Sequence, residues 1–411
     1  MRILHTADWH LNNRLGRIEL QPNIRARLEE IAAILRGEKI DVMVVAGDLF
    51  SHFTRMDELR TAVQDVNRIF KPFLMDGGTI VAISGNHDNE ALFQMLRLAM
   101  DLASPINPKD SGPRPPGRLY LAADPTYLLL ADRDGNPVQF VLLPYPTAAR
   151  YLRDEQTRYG SLDEKNQRLH GALLSRLEQI QATRIRPKLP SVLVSHVHVR
   201  GSTIHTTYQI SEREDVIFEQ GEIPVHWAYG AYGHIHKSQA LDGTGHIRYA
   251  GSIERFDYAE REDEKGVVVV EVGRQGRVGS PQVIPLDATP IHRIELEIED
   301  PERDLSILKD QYSAEATRAL VSYRVVYRPG EHDRDAIRRE IERLFPFWYA
   351  GEAVPAGSAL SGSPIDLPSQ PRDVLGTVQE YLRSQVPAED RDREALLVLA
   401  EQLWLERGVE V

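Results

Sequence analysis

Five short stretches of this chain put Asp, Asn and His together in ways that chemistry can use. They are Asp8-Trp9-His10, Gly47-Asp48, Gly85-Asn86-His87-Asp88, Ser195-His196 and Gly233-His234-Ile235-His236. Their carboxylate, amide and imidazole groups are oxygen and nitrogen donors, a set that suits manganese, iron, zinc or magnesium rather than a soft metal. The chain has no cysteine, which excludes a thiol nucleophile, a thiolate metal site and a disulfide framework. Asp8, His10, Asp48, Asn86, His196, His234 and His236 are the candidate ligands, enough for two divalent ions if one carboxylate bridges them. Two ions roughly 3.5–4 Å apart suit an in-line displacement at phosphorus, with a shared water acidified toward neutral pH. Taken singly each motif is ordinary: Gly-Asp is a common turn dipeptide, and a spaced histidine pair can sit on a surface. Their order, each after an apolar run, is not ordinary.

Those apolar runs are the elements that must position the site. Arg2–Thr6, Asp41–Ala46 and Thr79–Ser84 read as buried strands. Between them Ile24, Leu28, Ile31 and Leu35 keep helical spacing, as do Met56 to Phe70 and Leu92 to Met100. Further strands are expected at Tyr127–Ala131, Gln139–Leu143, Ser191–Ser195, Ile247–Ala250, Val267–Val272 and Gln282–Pro285, with a helix near Leu162–Gln181. This alternation predicts a layered α/β domain over residues 1–287, in which side chains just past the carboxyl ends of neighbouring strands converge on one crevice. The proline-rich stretch Asp101–Gly117 reads as an irregular connection. Residues 288–353 alternate strand and helix again and predict a small α+β domain, and residues 354–371 read as a Pro/Gly/Ser linker. Two amphipathic helices are expected in 372–411, carrying Leu375, Val378 and Leu382, then Leu396, Leu399, Leu403 and Trp404. Helices this short need something to dock on, either the main body or a partner.

Charge narrows the partners. The net charge is −12, with Lys+Arg 49 against Asp+Glu 61. Residues 1–287 hold 34 basic and 37 acidic side chains, a net of −3, while residues 288–411 hold 15 and 24, a net of −9. A purely electrostatic nucleic-acid binder is excluded, but nucleic acid as a substrate is not. Hydrophobic residues at 42% and charged residues at 27% describe an ordinary soluble protein. No run reaches the about 18 apolar residues of a membrane span, and the start is too quickly polar for a signal peptide, so a cytoplasmic protein is expected.

The five motifs resemble the signature of the calcineurin-like metallophosphoesterase superfamily. The opening Met1-Arg2-Ile3-Leu4-His5-Thr6-Ala7-Asp8-Trp9-His10-Leu11, with Gly47-Asp48-Leu49-Phe50 and Tyr249-Ala250-Gly251-Ser252-Ile253-Glu254-Arg255, is similar to the SbcD-type nucleases of double-strand-break repair, the bacterial counterpart of the meiotic-recombination nuclease. The resemblance implies a β-sandwich flanked by helices, a small α+β capping domain, and a C-terminal helix pair that binds the coiled coil of an SbcC-type ABC ATPase. It implies one metal on Asp8, His10, Asp48 and His236 and another on Asp48, Asn86, His196 and His234, both expected to be manganese, with His87 catalytic and Asp88 supporting it or its loop. It further implies exonuclease action on DNA ends, endonuclease or hairpin opening with the partner, and nucleoid association. ATP would bind the partner, since this chain has no Gly-rich Lys-Ser/Thr phosphate loop.

Around this centre the expectations are finer. Arg14, Arg17 and Arg55 follow metal-site motifs and could touch phosphates. Leu59, Val63, Leu92, Phe93 and Leu96 could form an isologous homodimer interface, or simply core. The family often has a histidine directly after Gly-Asp-x-Phe, where this chain has Ser51 and then His52. His198 reads as a pocket-wall or surface histidine, and His5 as a core residue or one behind the ligands, rather than as ligands. Rival functions are another esterase on the same fold, such as a phosphatase or cyclic-nucleotide phosphodiesterase, and an idle scaffold joining DNA ends to the ATPase.

Overall fold

The computed structural model describes residues 1–51, 56–105, 112–153, 159, 161–204, 215–223, 226–356 and 393–399. Residues 1–358 form one compact unit and 359–411 a second. In the first unit two six-stranded sheets stack on each other. The first sheet runs Gly276–Pro285, Gly266–Gly273, Arg2–Thr6, Val42–Val45, Thr79–Ile83 and Leu119–Ala122, its last four strands mutually parallel. The second runs Gln239–Ala240, Ile247–Tyr249, Tyr229–Gly233, Ser191–His196, Pro137–Leu143 and Thr126–Ala131, with a parallel centre.

The period of two decides which side chain goes where. Ile3, Val42, Val44, Val81 and Ile83 face Phe140, Leu142, Val192, Val194 and Ala231 of the other sheet. Their neighbours Leu4, Met43, Val45, Ile80 and Ala82 face outward onto the helices Gln21–Gly37, Met56–Met75 and Glu90–Ala103. On the far side Val141, Leu143, Leu193 and Tyr249 pack on Leu169, Leu173 and Leu177 of the helix Leu162–Thr183. The layers are therefore helix, sheet, sheet, helix, and strands buried on both faces read as continuous apolar runs. The α/β sandwich expected from the alternation is the observed architecture.

Residues 291–355 build a separate parallel sheet from Ile291–Glu297, Leu320–Tyr327 and Trp348–Pro355, joined by the helices Pro301–Gln311 and Arg334–Leu344. It has its own core around Val321, Tyr323, Val325, Ile337, Ile341 and Phe345, while Ile291 and Leu320 belong to the main core. The last strand reaches Pro355, so the start of the expected linker at 354 is still strand. In the second unit, residues 393–399 are helical, with Leu396 and Leu399 exposed. Leu375, Val378, Leu382, Leu403 and Trp404 lie outside the described residues. No helix among the described residues is long and apolar enough to cross a membrane.

Candidate metal centre

The site lies past the carboxyl ends of the parallel strands. Asp8 follows Arg2–Thr6, Asp48 follows Val42–Val45, Asn86 follows Thr79–Ile83, His196 ends Ser191–His196, and His234 follows Tyr229–Gly233. Asp8, His10, Asp48 and His234 have φ of 51°, 45°, 52° and 96°, left-handed conformations that non-glycine residues rarely adopt. Backbone bonds hold them: Asp8 N–H donates to Gly47 O at 3.0 Å, and His10 N–H to Asp48 O at 3.0 Å. Glycines make the crowding possible. A Cβ on Gly85 would lie 2.0 Å from Asp48 Oδ1, one on Gly47 2.1 Å from His196 Nδ1, and one on Gly233 2.0 Å from Ala46 O.

All seven expected ligands come together. Asp8, His10 and His236 offer donor atoms within 4.8 Å of one another, and so do Asp8, Asp48 and His196. His10 Nε2 and His236 Nε2 are 3.0 Å apart. Asn86 Oδ1 lies 3.0 Å from both His196 Nε2 and His234 Nδ1. Asp48 sits between the groups, with Oδ2 3.7 Å from His10 Nε2 and 3.4 Å from His196 Nε2. His196 donates Nδ1–H to Ala46 O at 2.7 Å, so Nε2 is the nitrogen that faces the cluster.

The electrostatics call for a cation. Asp8 and Asp48 are 0% and 2% exposed, and among the described residues neither forms an ion pair with a lysine or arginine. Burial pushes the Asp8 carboxyl up, against the pull of His196 and His236. Burial also acts on Asp48, but His196 and His10 outweigh it and hold that carboxyl well below its usual range. His196 is held up at about 9, where Asp48 overcomes the effect of burial. Buried carboxylates sharing protons with imidazoles are a donor set that a divalent ion fits by displacing those protons.

His87 sits beside the donors, its ring edge-on to His10 at 4.9 Å and its backbone N–H donating to Asp48 Oδ1 at 2.8 Å. The Asp88 carboxylate accepts from Phe50 N–H at 2.9 Å and Gly85 N–H at 2.8 Å, so it ties the third loop to the second. Burial and the nearby Asp48 push Asp88 up to about 7, opposed by those two N–H donors.

Sequence reasoning missed the residues behind the ligands. Asp215 Oδ2 lies 2.8 Å from His234 Nε2, and its Oδ1 accepts from Tyr145 O–H at 3.0 Å. Glu260 Oε1 lies 2.8 Å from His236 Nδ1, and Lys265 Nζ donates to Glu260 Oε2 at 2.6 Å. Asp215 follows Glu214, and Glu260 opens the acidic stretch Glu260-Arg261-Glu262-Asp263-Glu264, so neither stands out from its neighbours as a motif. His198 is buried, with Nδ1 3.2 Å from Asp215 Oδ2. His5 is core: it contacts Tyr229 Oη at 2.9 Å and Tyr232 O at 3.2 Å.

Other expected residues are engaged elsewhere. Arg14 pairs with Glu19 and Glu58, and Arg17 stacks on Trp348 at 4.1 Å. Arg55 and His52 lie outside the described residues. Leu59 and Phe93 differ from the interface expectation, being 7% and 1% exposed within the main core, with Leu92 and Leu96 half-buried against it. Helical spacing marks an apolar face without saying what covers it. Val63 is open, and the apolar side chains that these helices expose are Met56, Val63, Met75, Met95, Leu98 and Leu102.

A double sheet with Asp, Asn and His donors at its strand ends is the arrangement of a metal-dependent phosphoester hydrolase. Residues 1–238 match the calcineurin-like phosphoesterase family, and the chain belongs to it. Among curated proteins it is similar to SbcD of the SbcCD nuclease from Bacillus subtilis, 29% identical over 66% of this chain and 66% of that one. SbcD of Escherichia coli K12 is 28% identical over 61% of this chain and 60% of its own length. The alignments thus span less than two thirds of these relatives. A crystal structure of a dimetal phosphatase from Danio rerio matches at a TM-score of 0.37 and 11% identity, over 69% of this chain and 98% of that one.

Proposed function

We propose that this chain is a two-metal DNA nuclease of the SbcD type, acting on duplex ends with manganese and opening hairpins together with an SbcC-type ATPase in double-strand-break repair. The observation that carries the reading is the convergence of seven oxygen and imidazole donors with His87 alongside. Asp8, His10, Asp48 and His236 would hold one ion, and Asp48, Asn86, His196 and His234 the other. Ions held there supply charge that offsets the phosphodiester's and acidify water.

The chain's own residues do the rest. His87 lies next to the donors without belonging to them, and an imidazole exchanges protons near neutral pH, so it gives a proton to the leaving 3′ oxygen. Asp88, through Phe50 and Gly85, keeps the His87 loop against Asp48. The exposed side chains Val63, Met95, Leu98 and Leu102 suit a contact with a second copy. The capping role of residues 288–353 and ATPase docking through 372–411 belong to the same reading.

The test is cleavage of end-labelled duplex DNA by the full chain with manganese, beside a His87→Ala variant whose metal content is measured. The expected result is cleavage by the parent and at least a ~100-fold loss in the variant at unchanged metal content. Cleavage of a small phosphate ester with duplex DNA left intact would favour a phosphatase instead.

A further inference from the structure

His234 and His236 stand two residues apart and present opposite nitrogens to the cluster. His236 points Nδ1 at Glu260 and Nε2 at His10. His234 points Nε2 at Asp215 and Nδ1 at Asn86. A neutral imidazole has one N–H and one lone pair, so the carboxylate behind each ring decides which nitrogen is left to bind a cation.

The two carboxylates are not equivalent. Glu260 is buried with a cation, Lys265, whose Nζ also donates to Ser252 Oγ at 2.8 Å and His236 O at 3.1 Å. Asp215 is 3% exposed. Tyr145 O–H and Val216 N–H, at 3.0 and 2.9 Å, donate to its Oδ1, and His198 Nδ1 lies 3.2 Å from its Oδ2. Among the described residues no lysine or arginine forms an ion pair with it. Tyr145 also lies over this half of the cluster, its ring 5.7 Å from His234 and 6.2 Å from His196. One aspartate therefore ties together His234, His198 and Tyr145.

We infer that Asp215 is the positioning residue of the metal subsite made by Asn86, His196 and His234, while the Glu260–Lys265 pair serves the subsite of Asp8, His10 and His236, so that the two subsites are tuned separately. Asp215 Oδ2 faces His234 Nε2 and so leaves Nδ1 for the cation. Glu260 Oε1 faces His236 Nδ1 and leaves Nε2. Loss of either carboxylate accordingly weakens the subsite of the histidine it faces. An asparagine at 215 is worse than a neutral acceptor, because its amide N–H can donate to Nε2 and turn the His234 N–H toward the cluster.

The inference rests on the two-metal reading, and manganese titration of the metal-free full chain by calorimetry separates the two. The parent is expected to take two ions. Asp215→Asn should keep one at parental affinity and bind the other ~10–100-fold more weakly, with Glu260→Gln weakening the opposite site. Asp215→Asn combined with Asn86→Ala should still leave one site at parental affinity, because both act on one subsite, whereas combined with Glu260→Gln it should weaken both sites. Two sites of parental affinity in Asp215→Asn, or equal weakening of both, would overturn the assignment. A parent that takes no manganese would overturn the two-metal reading and this inference with it. If Asp215→Asn does not fold, ¹⁵N spectra of the metal-free parent's imidazoles decide, with His234 assigned through His234→Gln. A protonated Nε2 at His234 supports the assignment, and a protonated Nδ1 overturns it.

Discussion

Four of the candidate ligands hold left-handed backbone, at roughly 1–3 kcal/mol each. That strain persists because the loops bond to one another and because glycines beside them leave room. It explains why the ligands were legible as sequence: Asp-x-His and Gly-Asp record both a donor and the backbone that aims it. His5 shows the opposite case, a histidine in the same strand whose type says nothing of its role. Burial, with Arg248 adding to it, holds its imidazole down at about 3 against the hydrogen bond to Tyr232. Below pH ~6.5 the unfolded chain therefore takes a proton that the folded chain refuses. The stability that neutral His5 contributes is full above that pH and is lost as pH falls toward 3, at about 1.4 kcal/mol per unit. Urea unfolding of the parent and of His5→Gln between pH 7 and pH 4 checks this, because the other titrating groups cancel in the difference. The parent should lose stability relative to the variant on acidification, and a difference flat in pH would show that His5 takes its proton inside the fold.

Elements carry this information unevenly. Arg2–Thr6, Val42–Val45 and Thr79–Ile83 were readable because strands buried on both faces are apolar throughout. Tyr229–Gly233, Tyr-Gly-Ala-Tyr-Gly, was readable only as a run before the His234 motif, without bounds. It lies between two parallel neighbours where small residues are needed, and a Cβ on Gly230 would come within 3.1 Å of the Tyr232 ring and 3.3 Å of Ile247. Asp215 and Glu260 were illegible because each depends on a long-range contact with a histidine. The segment Tyr249 to Arg255, readable only as a likeness, has a physical role. Ser252 touches the Glu260–Lys265 pair, while Glu254 accepts from Thr289 N–H at 2.7 Å and Oγ1–H at 2.9 Å. Arg255 donates to the carbonyls of Glu260, Asp263, Ala288 and Thr289, so it braces the metal-site loop and the entry to the third sheet together. Arg255→Met should cost about 2–4 kcal/mol, since it leaves the Asp263 and Thr289 carbonyls without this donor, while Glu260 O keeps Asp263 N–H and Ala288 O keeps Arg318. Chemical denaturation measures that cost, and a change below about 0.5 kcal/mol would mean that the brace is solvent-replaceable.

At the scale of the whole molecule, the chain forms two compact units, of which the second is the more acidic for its length. Residues 1–358 contain both stacked sheets, the third sheet and every donor of the metal centre. Residues 359–411 hold 5 basic and 10 acidic side chains, so their removal takes the net charge from −12 to −7. If that segment contributed to DNA binding by charge it would do so unfavourably, because a phosphate backbone is repelled by a net of −5. Its use is better sought in the apolar side chains of residues 393–399, where Leu396 and Leu399 are 38% and 48% exposed. Amphipathic helices of this length gain stability by docking, and a coiled coil offers a continuous apolar seam to dock on. Residues 1–358 expressed alone should therefore keep manganese-dependent cleavage of duplex DNA, with an unchanged dependence on salt, and should fail to co-elute with the coiled coil of an SbcC-type ATPase. Gel filtration of the mixture, beside the cleavage assay, reads both. Co-elution of the shortened chain would move the ATPase contact onto the first unit. Loss of cleavage with metal content intact would make the second unit part of the nuclease itself.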